Sequence, residues 1–404
     1  MNEAVLTGKQ QWMQKATLFV TAASAFSIPF AIRFNSIVLV ACFSCLFLFA
    51  IISRLSFNDL VRSKLFWTIV AHYVVILFGL LYSSNLSQGS ADVERFTFAL
   101  VIPVFVFIAS RFGVRQVHVL YAFTAGCVLL TLYGFGIVLF TLEPGEISNV
   151  LKSGHMNFTD HIGIHPTYLG LYFLLIFFFL LEQLRHNRGV KDRAWMATVV
   201  VIVYVVAMLV FLRAQIVLLI FFASLILYVL VLFRKRAALI TFFLFASGIL
   251  AFFADPHRVT TFFDRYGKNV STALDNRIEL WASVVETISQ QPIIGAGTGD
   301  EQDALDAGYR RDGFVEGYEN SYNAHNQYLE FIVRNGIIEV VAFLALLYFG
   351  FKGGLESTNY TFLLFIMIFC LAMMVESCLN VQKGIVFFYF FLTAFAILPH
   401  QKSS

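Results

Sequence analysis

Arg213, Arg277 and His325 are far apart in the chain, yet their side chains suit one kind of chemistry, in which an anion is held while a hydroxyl is activated. Arg213 interrupts a hydrophobic run from 195 to 233. A guanidinium beside hydrocarbon is expensive to place and offers a planar fork of donors matched to phosphate oxygens. The same residue could equally be an interfacial anchor, with its stem in the apolar layer. Arg277 is expected at the start of an amphipathic helix running from Asp275 to Ser289, one turn before Trp281. Helix N-termini present unpaired N–H groups and a positive dipole end, so Arg277 would reinforce an anion site there. A surface ion pair with Asp275 or Glu279 is the plainer role. His325 sits in Asn323-Ala324-His325-Asn326-Gln327-Tyr328-Leu329-Glu330. Imidazole is the commonest general base, although a single histidine also serves as a structural hydrogen-bonder.

Further candidates for the wall of such a site are His165 and Tyr168 in Ile164-His165-Pro166-Thr167-Tyr168, Glu376 and Asn380, and Gln382 with Lys383. An acid within an apolar run usually faces protein and has a cationic partner, for which Arg213 or Lys383 would serve Glu376. The run Asp300, Glu301, Asp303, Asp306 matches no metal-ligand spacing and is expected to be a solvated loop face. Gly295-Ala296-Gly297-Thr298-Gly299 fits neither dinucleotide nor Walker patterns and is expected to be a turn. Neither Gly-x-Ser-x-Gly nor His-Glu-x-x-His occurs. No metal site and no cofactor is expected.

These residues need a membrane scaffold. Hydrophobic side chains make up 59% of the 404 residues and charged ones 13%, whereas soluble domains average about 45–50% and about 25%. The 47 phenylalanines recur inside apolar runs, as expected of helices bathed in lipid. Net charge is only +3 and the basic residues are scattered, which argues against a nucleic-acid partner. The 5 cysteines all fall in apolar runs, so even Cys42 and Cys45 are expected to be core side chains.

Runs near the ~20 residues that cross hydrocarbon occur at 16–33, 36–53, 66–82, 97–110, 117–140, 165–182, 195–212, 214–233, 237–254, 336–351, 361–379 and 384–399. The expected fold is therefore an all-α integral membrane protein of about twelve transmembrane helices. Arg54, Arg62 and Lys64, then Arg111 and Arg115, then Arg185, Arg188, Lys191 and Arg193, then Arg234, Lys235 and Arg236 fall in alternate connections. Acids such as Asp92, Glu94, Glu143, Glu146 and Asp160 collect in the others. The positive-inside rule then puts both termini in the cytoplasm. The expected division is 1–254 for spans one to nine, 255–330 for an outer loop domain and 331–404 for spans ten to twelve. The outer loop is expected to hold an apolar stripe of Ile278, Trp281, Val284, Val285 and Ile288, and a second helix from near Asn323 that breaks at Asn335-Gly336. The loop reads as a small folded cap.

The pattern resembles the bacterial O-antigen ligase and O-antigen polymerase superfamily of membrane glycosyltransferases. The resemblance rests on the large outer loop after span nine, Leu212-Arg213-Ala214 and Arg277 through Trp281 followed by Pro292-Ile293-Ile294-Gly295-Ala296-Gly297. It rests also on His325-Asn326-x-Tyr328-Leu329-Glu330. His165-Pro166-Thr167-Tyr168, Glu376-Ser377 and Gln382-Lys383-Gly384 look like members from Bacteroidetes-type bacteria, whereas Leu-Arg-Ala departs from the Ser-Arg-Gly often seen at that turn. The resemblance implies a GT-C-like bundle with a helical periplasmic cap in the bacterial inner membrane. It implies metal-independent, inverting transfer of a glycan from undecaprenyl diphosphate to a lipid A-core sugar or to another lipid-linked glycan. By the same resemblance Arg213 and Arg277 would hold the diphosphate and His325 would orient or deprotonate the acceptor. O-antigen or exopolysaccharide polymerase is the alternative within the superfamily, and a polytopic transporter or flippase the alternative outside it. Membrane lipids are the remaining expected partners.

Overall fold

The computed structural model describes residues 8–143, 145–147, 150, 155–186, 192–233 and 268–400. Among these residues the chain is helical, with no strand. In chain order the helices are α1 Gly8–Ser27, α2 Ile32–Ile52, α3 Asn58–Val61, α4 Lys64–Gly79, α5 Leu86–Arg111, α6 Gln116–Thr141, α7 His155–Ile162 and α8 Pro166–His186. Then follow α9 Arg193–Leu212, α10 Gln215–Phe233, α11 Lys268–Gln290, α12 Glu301–Asp312, α13 Val315–Glu319, α14 Gln327–Glu356, α15 Tyr360–Met373 and α16 Gln382–Ile397. Polar residues start several of them. Ser63, Asn85, Asp192, Asn326 and Asn359 each accept a hydrogen bond from a first-turn N–H, at α4, α5, α9, α14 and α15 respectively.

Among the described residues, seven helices are long and apolar enough to cross a membrane, and Gln215–Leu230, Tyr360–Met373 and Gln382–Ile397 are shorter apolar helices. The described residues are thus those of a helical polytopic membrane protein. The expected span at 237–254 lies outside the described residues. Lipid as solvent permits this layout because each helix satisfies its own backbone hydrogen bonds. Burial separates central spans from peripheral ones. The apolar window of α8 is 83% buried and that of α9 only 22%, so α9 faces the lipid. α16 is buried along nearly its whole length and packs closely on α5. Its aromatic residues Phe387, Phe388 and Phe391 interlock with Phe365 and Phe369 of α15 and with Phe123 of α6.

Residues 280–333 build a second, smaller core from Leu280, Val284, Leu305, Tyr309, Phe314, Ala324 and Val333. This core corrects the expected helix. α11 begins at Lys268, so Arg277 lies well inside it and a helix N-terminus does not supplement that guanidinium. The inward face is Leu280 and Val284 with Trp281 and Ile288 packed beside them, whereas Ile278 and Val285 are exposed.

The break at Asn335-Gly336 is present, inside α14. Gly336 has φ +69°, and a Cβ there would run into the Ile293 carbonyl. The glycine-rich segment fills the break: Ala296 N–H donates to Val333 O at 2.7 Å and Gly297 N–H to Arg334 O at 2.8 Å. Thr298 Oγ1 donates to Ile76 O at 2.7 Å, pinning the segment to α4. The expected turn is therefore also a plug that satisfies carbonyls freed by the break.

Candidate functional site

Between α15 and α16 the backbone leaves helical geometry from Met374 to Val381 and forms a strap across the cap end of the bundle. Buried non-helical backbone needs partners. Side chains from several helices supply them. Asn326 Nδ2 donates to Met374 O at 3.0 Å and Arg277 Nη1 to Val375 O at 3.0 Å. Tyr168 Oη donates to Cys378 O at 3.2 Å and Arg95 Nη1 to Asn380 O at 2.8 Å. Gln327 Oε1 accepts from Leu379 N–H at 2.5 Å, and Glu330 Oε2 accepts from Ser377 Oγ at 2.8 Å. Gly384 lets α16 start against the strap, since a Cβ there would meet the Cys378 carbonyl.

The strap carries Glu376, and the loop before α14 carries His325. Nδ1 of His325 lies 3.5 Å from Glu376 Oε1, an ion-pair separation rather than a hydrogen bond. His325 adopts φ +45°, which a side chain with Cβ rarely occupies, and its N–H donates to Asn323 Oδ1 at 2.9 Å. The neighbouring Ala324 is held twice: its N–H donates to Glu330 Oε2 at 2.8 Å and its carbonyl accepts from Trp281 Nε1 at 3.0 Å. Glu330 thus grips the residue before His325 and the residue after Glu376 with one carboxylate oxygen. The second helix starts at Gln327, not Asn323, leaving His325 on the loop just ahead of the Asn326 cap. Burial pushes the Glu376 carboxyl up, but the imidazole of His325 and the charges of His165 and Arg277 outweigh burial and hold it below the usual carboxylate range.

The structure brings Arg277, His325, Tyr168 and Glu376 together at the strap, with His165 close enough to influence the same carboxylate. Lys383 is one step away, donating from Nζ to Gly163 O at 2.7 Å in the turn before His165. Gln382 turns aside and donates to Ser36 Oγ on α2 at 2.6 Å. Arg213 caps α9 in the left-handed region, φ +48°, and is exposed in the tight turn to α10. Val217 of α10 packs on Gly170 of α8, which puts that turn beside the His165–Tyr168 corner.

A buried polar network lies beneath the strap, and no motif announces it. Arg334 is ion-paired with Glu339 and lies 3.5 Å from Glu301 Oε2. His72, in the middle of α4, has Nε2 3.3 Å from Glu339 and Nδ1 2.7 Å from Tyr389 Oη. The acidic run is only partly the solvated face expected of it, with Asp303 exposed. Asp300 accepts from Ser84 and Asn85 N–H at 2.6 and 2.7 Å, and Glu301 points into the network. Burial and the neighbouring Glu330 raise the Glu301 carboxyl well above its ordinary range, against the pull of Arg334.

An imidazole backed by a carboxylate can take a proton from a hydroxyl, because the carboxylate steadies the imidazolium that forms. Arg277 places a guanidinium beside this pair, where it contacts the strap at Val375 O. Comparison with known families gives a match at residues 213–344 to the family described as O-Antigen ligase. Among curated proteins, none matches the chain. The matched segment opens at Arg213, includes Arg277 and His325 and ends in α14, so this stretch of the chain is similar to the O-antigen ligase family.

Proposed function

We propose that this protein is a glycosyltransferase that moves a glycan from undecaprenyl diphosphate to a lipid A-core sugar at the periplasmic face of the inner membrane. The supporting observation is the His325–Glu376 pair, held on a braced strap beside Arg277 within a chain that matches O-antigen ligase. About twelve spans with both termini cytoplasmic and a GT-C-like periplasmic cap complete the reading, supported by the alternation of Lys and Arg between connections.

In this mechanism the acceptor hydroxyl gives its proton to His325 as its oxygen attacks the anomeric carbon of the donor. The bond from that carbon to the diphosphate oxygen breaks on the opposite side, and its electron pair leaves with the diphosphate. The anomeric configuration inverts. Arg277, and Arg213 across the rim, meet the charge that develops on the leaving group; an aligned donor of this kind typically contributes ~10²–10³ in rate. Glu376 steadies the imidazolium. Asn326 and Glu330 keep the two segments in register.

Glycan analysis of a deletion strain tests the reading. Unattached polymer on the lipid carrier indicates a ligase, a single repeat on the lipid A core indicates a polymerase, and an unchanged profile rejects both. The buried His72–Glu339 pair in the bundle favours a second reading, a transporter of lipid-linked glycan. That reading requires carrier lipid to cross the membrane of a proteoliposome without glycan transfer.

A further inference from the structure

Beside the strap, a polar cavity of about 220 Å³ opens between the first turns of α5, the start of α12 and the loop before His325. Gln88, Asp92, Arg95, Gln302, Asn323 and Asn380 line it. We propose that this cavity binds one uncharged sugar ring, the acceptor residue of the transfer reaction; the word acceptor rests on the transferase reading, the sugar site does not.

Size is the first argument. The volume equals that of roughly seven liquid waters, below the usual range for drug-sized pockets and suited to a single hexose. Charge is the second. The guanidiniums here already have carboxylate partners: Arg95 pairs with Asp92, and Arg334, which also borders the cavity, pairs with Glu339 and Glu301. A diphosphate would have to break those pairs and approach Asp92. A neutral polyol would not, because its hydroxyls both donate and accept. Carboxylates can take its donors, the side-chain oxygens of Gln88 and Gln302 can accept from it while their nitrogens stay bonded to the protein, and Nδ2 of Asn323 can donate to it.

Position is the third argument. Asn323 lines the cavity and its side chain accepts the N–H of His325, while Asn380 lines it four residues along the strap from Glu376. A ring seated there would lie next to the loop that carries the proposed base. The arginine rim and the sugar cavity would then divide the two substrates between them, with the anionic donor on one side of His325 and the neutral acceptor on the other.

Saturation-transfer NMR on the full-length protein in nanodiscs reads this site without turnover, with methyl glycosides of glucose, galactose and N-acetylglucosamine as probes and inorganic phosphate as competitor. The wild type should bind at least one glycoside, and phosphate should not displace it. Gln88→Trp, at an exposed lining position, and Gln302→Ala should each weaken binding by about tenfold or more. His325→Ala should retain it. Displacement by phosphate, unchanged affinity in both cavity variants, or no glycoside signal from protein that does transfer lipid-linked glycan overturns the sugar site and leaves the transferase reading standing. Glycoside binding that both cavity variants lose, in protein that transfers no glycan, keeps the sugar site and overturns the transferase reading.

Discussion

The two groups that matter most at the residue scale stand 3.5 Å apart, and each depends on the other. An imidazole must be neutral to remove a hydroxyl proton, so acid should suppress a transfer that depends on it. Transfer by the wild type should fall on acidification, and His325→Ala should show a low, flat profile with donor binding intact. Glu376 gives a separate test through stability. Its carboxyl titrates below the ordinary range in the folded chain, so the ionised form stabilises the fold at pH above that range, and this contribution is lost as pH falls through the folded value. Thermal unfolding should show the wild type losing stability on acidification more steeply than Glu376→Gln. Equal slopes would mean that Glu376 is not held by its neighbours. Both residues are legible in the sequence as types, but their pairing is not, because a long stretch of chain separates a histidine in a loop from an acid after a span. His325 also carries a left-handed backbone that no residue type announces. Arg54, Ser321 and Thr358 share that conformation, so strain alone does not mark the site.

At the scale of elements, function depends on two non-helical segments being held against each other. Glu330 does this by accepting from Ala324 N–H and Ser377 Oγ. Glu330→Gln keeps an accepting oxygen and should retain part of the activity. Glu330→Ala leaves both donors without this acceptor, and hydrogen bonds to charged groups are worth about 1.5–3 kcal/mol. Its turnover should fall by about tenfold or more with little change in donor affinity; a matching loss in the two variants would remove Glu330 as a positioning residue. Deeper in the bundle, Glu339→Ala removes the closer of the two carboxylates that pair with Arg334, and breaking a buried pair typically costs about 3–5 kcal/mol. That variant should unfold at clearly lower temperature even with the site intact. The break at Asn335-Gly336 is readable from its residue pair. The plug that fills it is not, because Gly295 to Gly299 reads as a turn until Val333 and Arg334 are seen to need donors. The length of α11 is hidden for a similar reason: Asp275 looks like a cap, but the helix already begins at Lys268. Leu280, rather than Ile278, faces the core.

Over the whole molecule, apolar runs point to seven of the expected spans among the described residues, since about 20 such residues have few other uses. Which span lies at the centre is hidden, because a helix that is apolar all round reads the same facing lipid or protein. α16 and α9 show the two outcomes. The proposed sidedness, argued from the basic connections, can be checked with single cysteines. Gln290→Cys on the cap should react with an impermeant reagent in intact spheroplasts, and Glu356→Cys at the far end of α14 should react only after lysis. The reverse pattern would put the site in the cytoplasm. The central claim is that His325, backed by Glu376, transfers a lipid-linked glycan without a metal. Purified protein in nanodiscs, supplied with undecaprenyl-diphosphate-linked glycan and a lipid A-core acceptor in excess chelator, measures it in one assay. The account predicts transfer by the wild type that chelator leaves unchanged and that His325→Ala loses; full activity of His325→Ala at neutral pH, or wild-type turnover abolished by chelator, would contradict it.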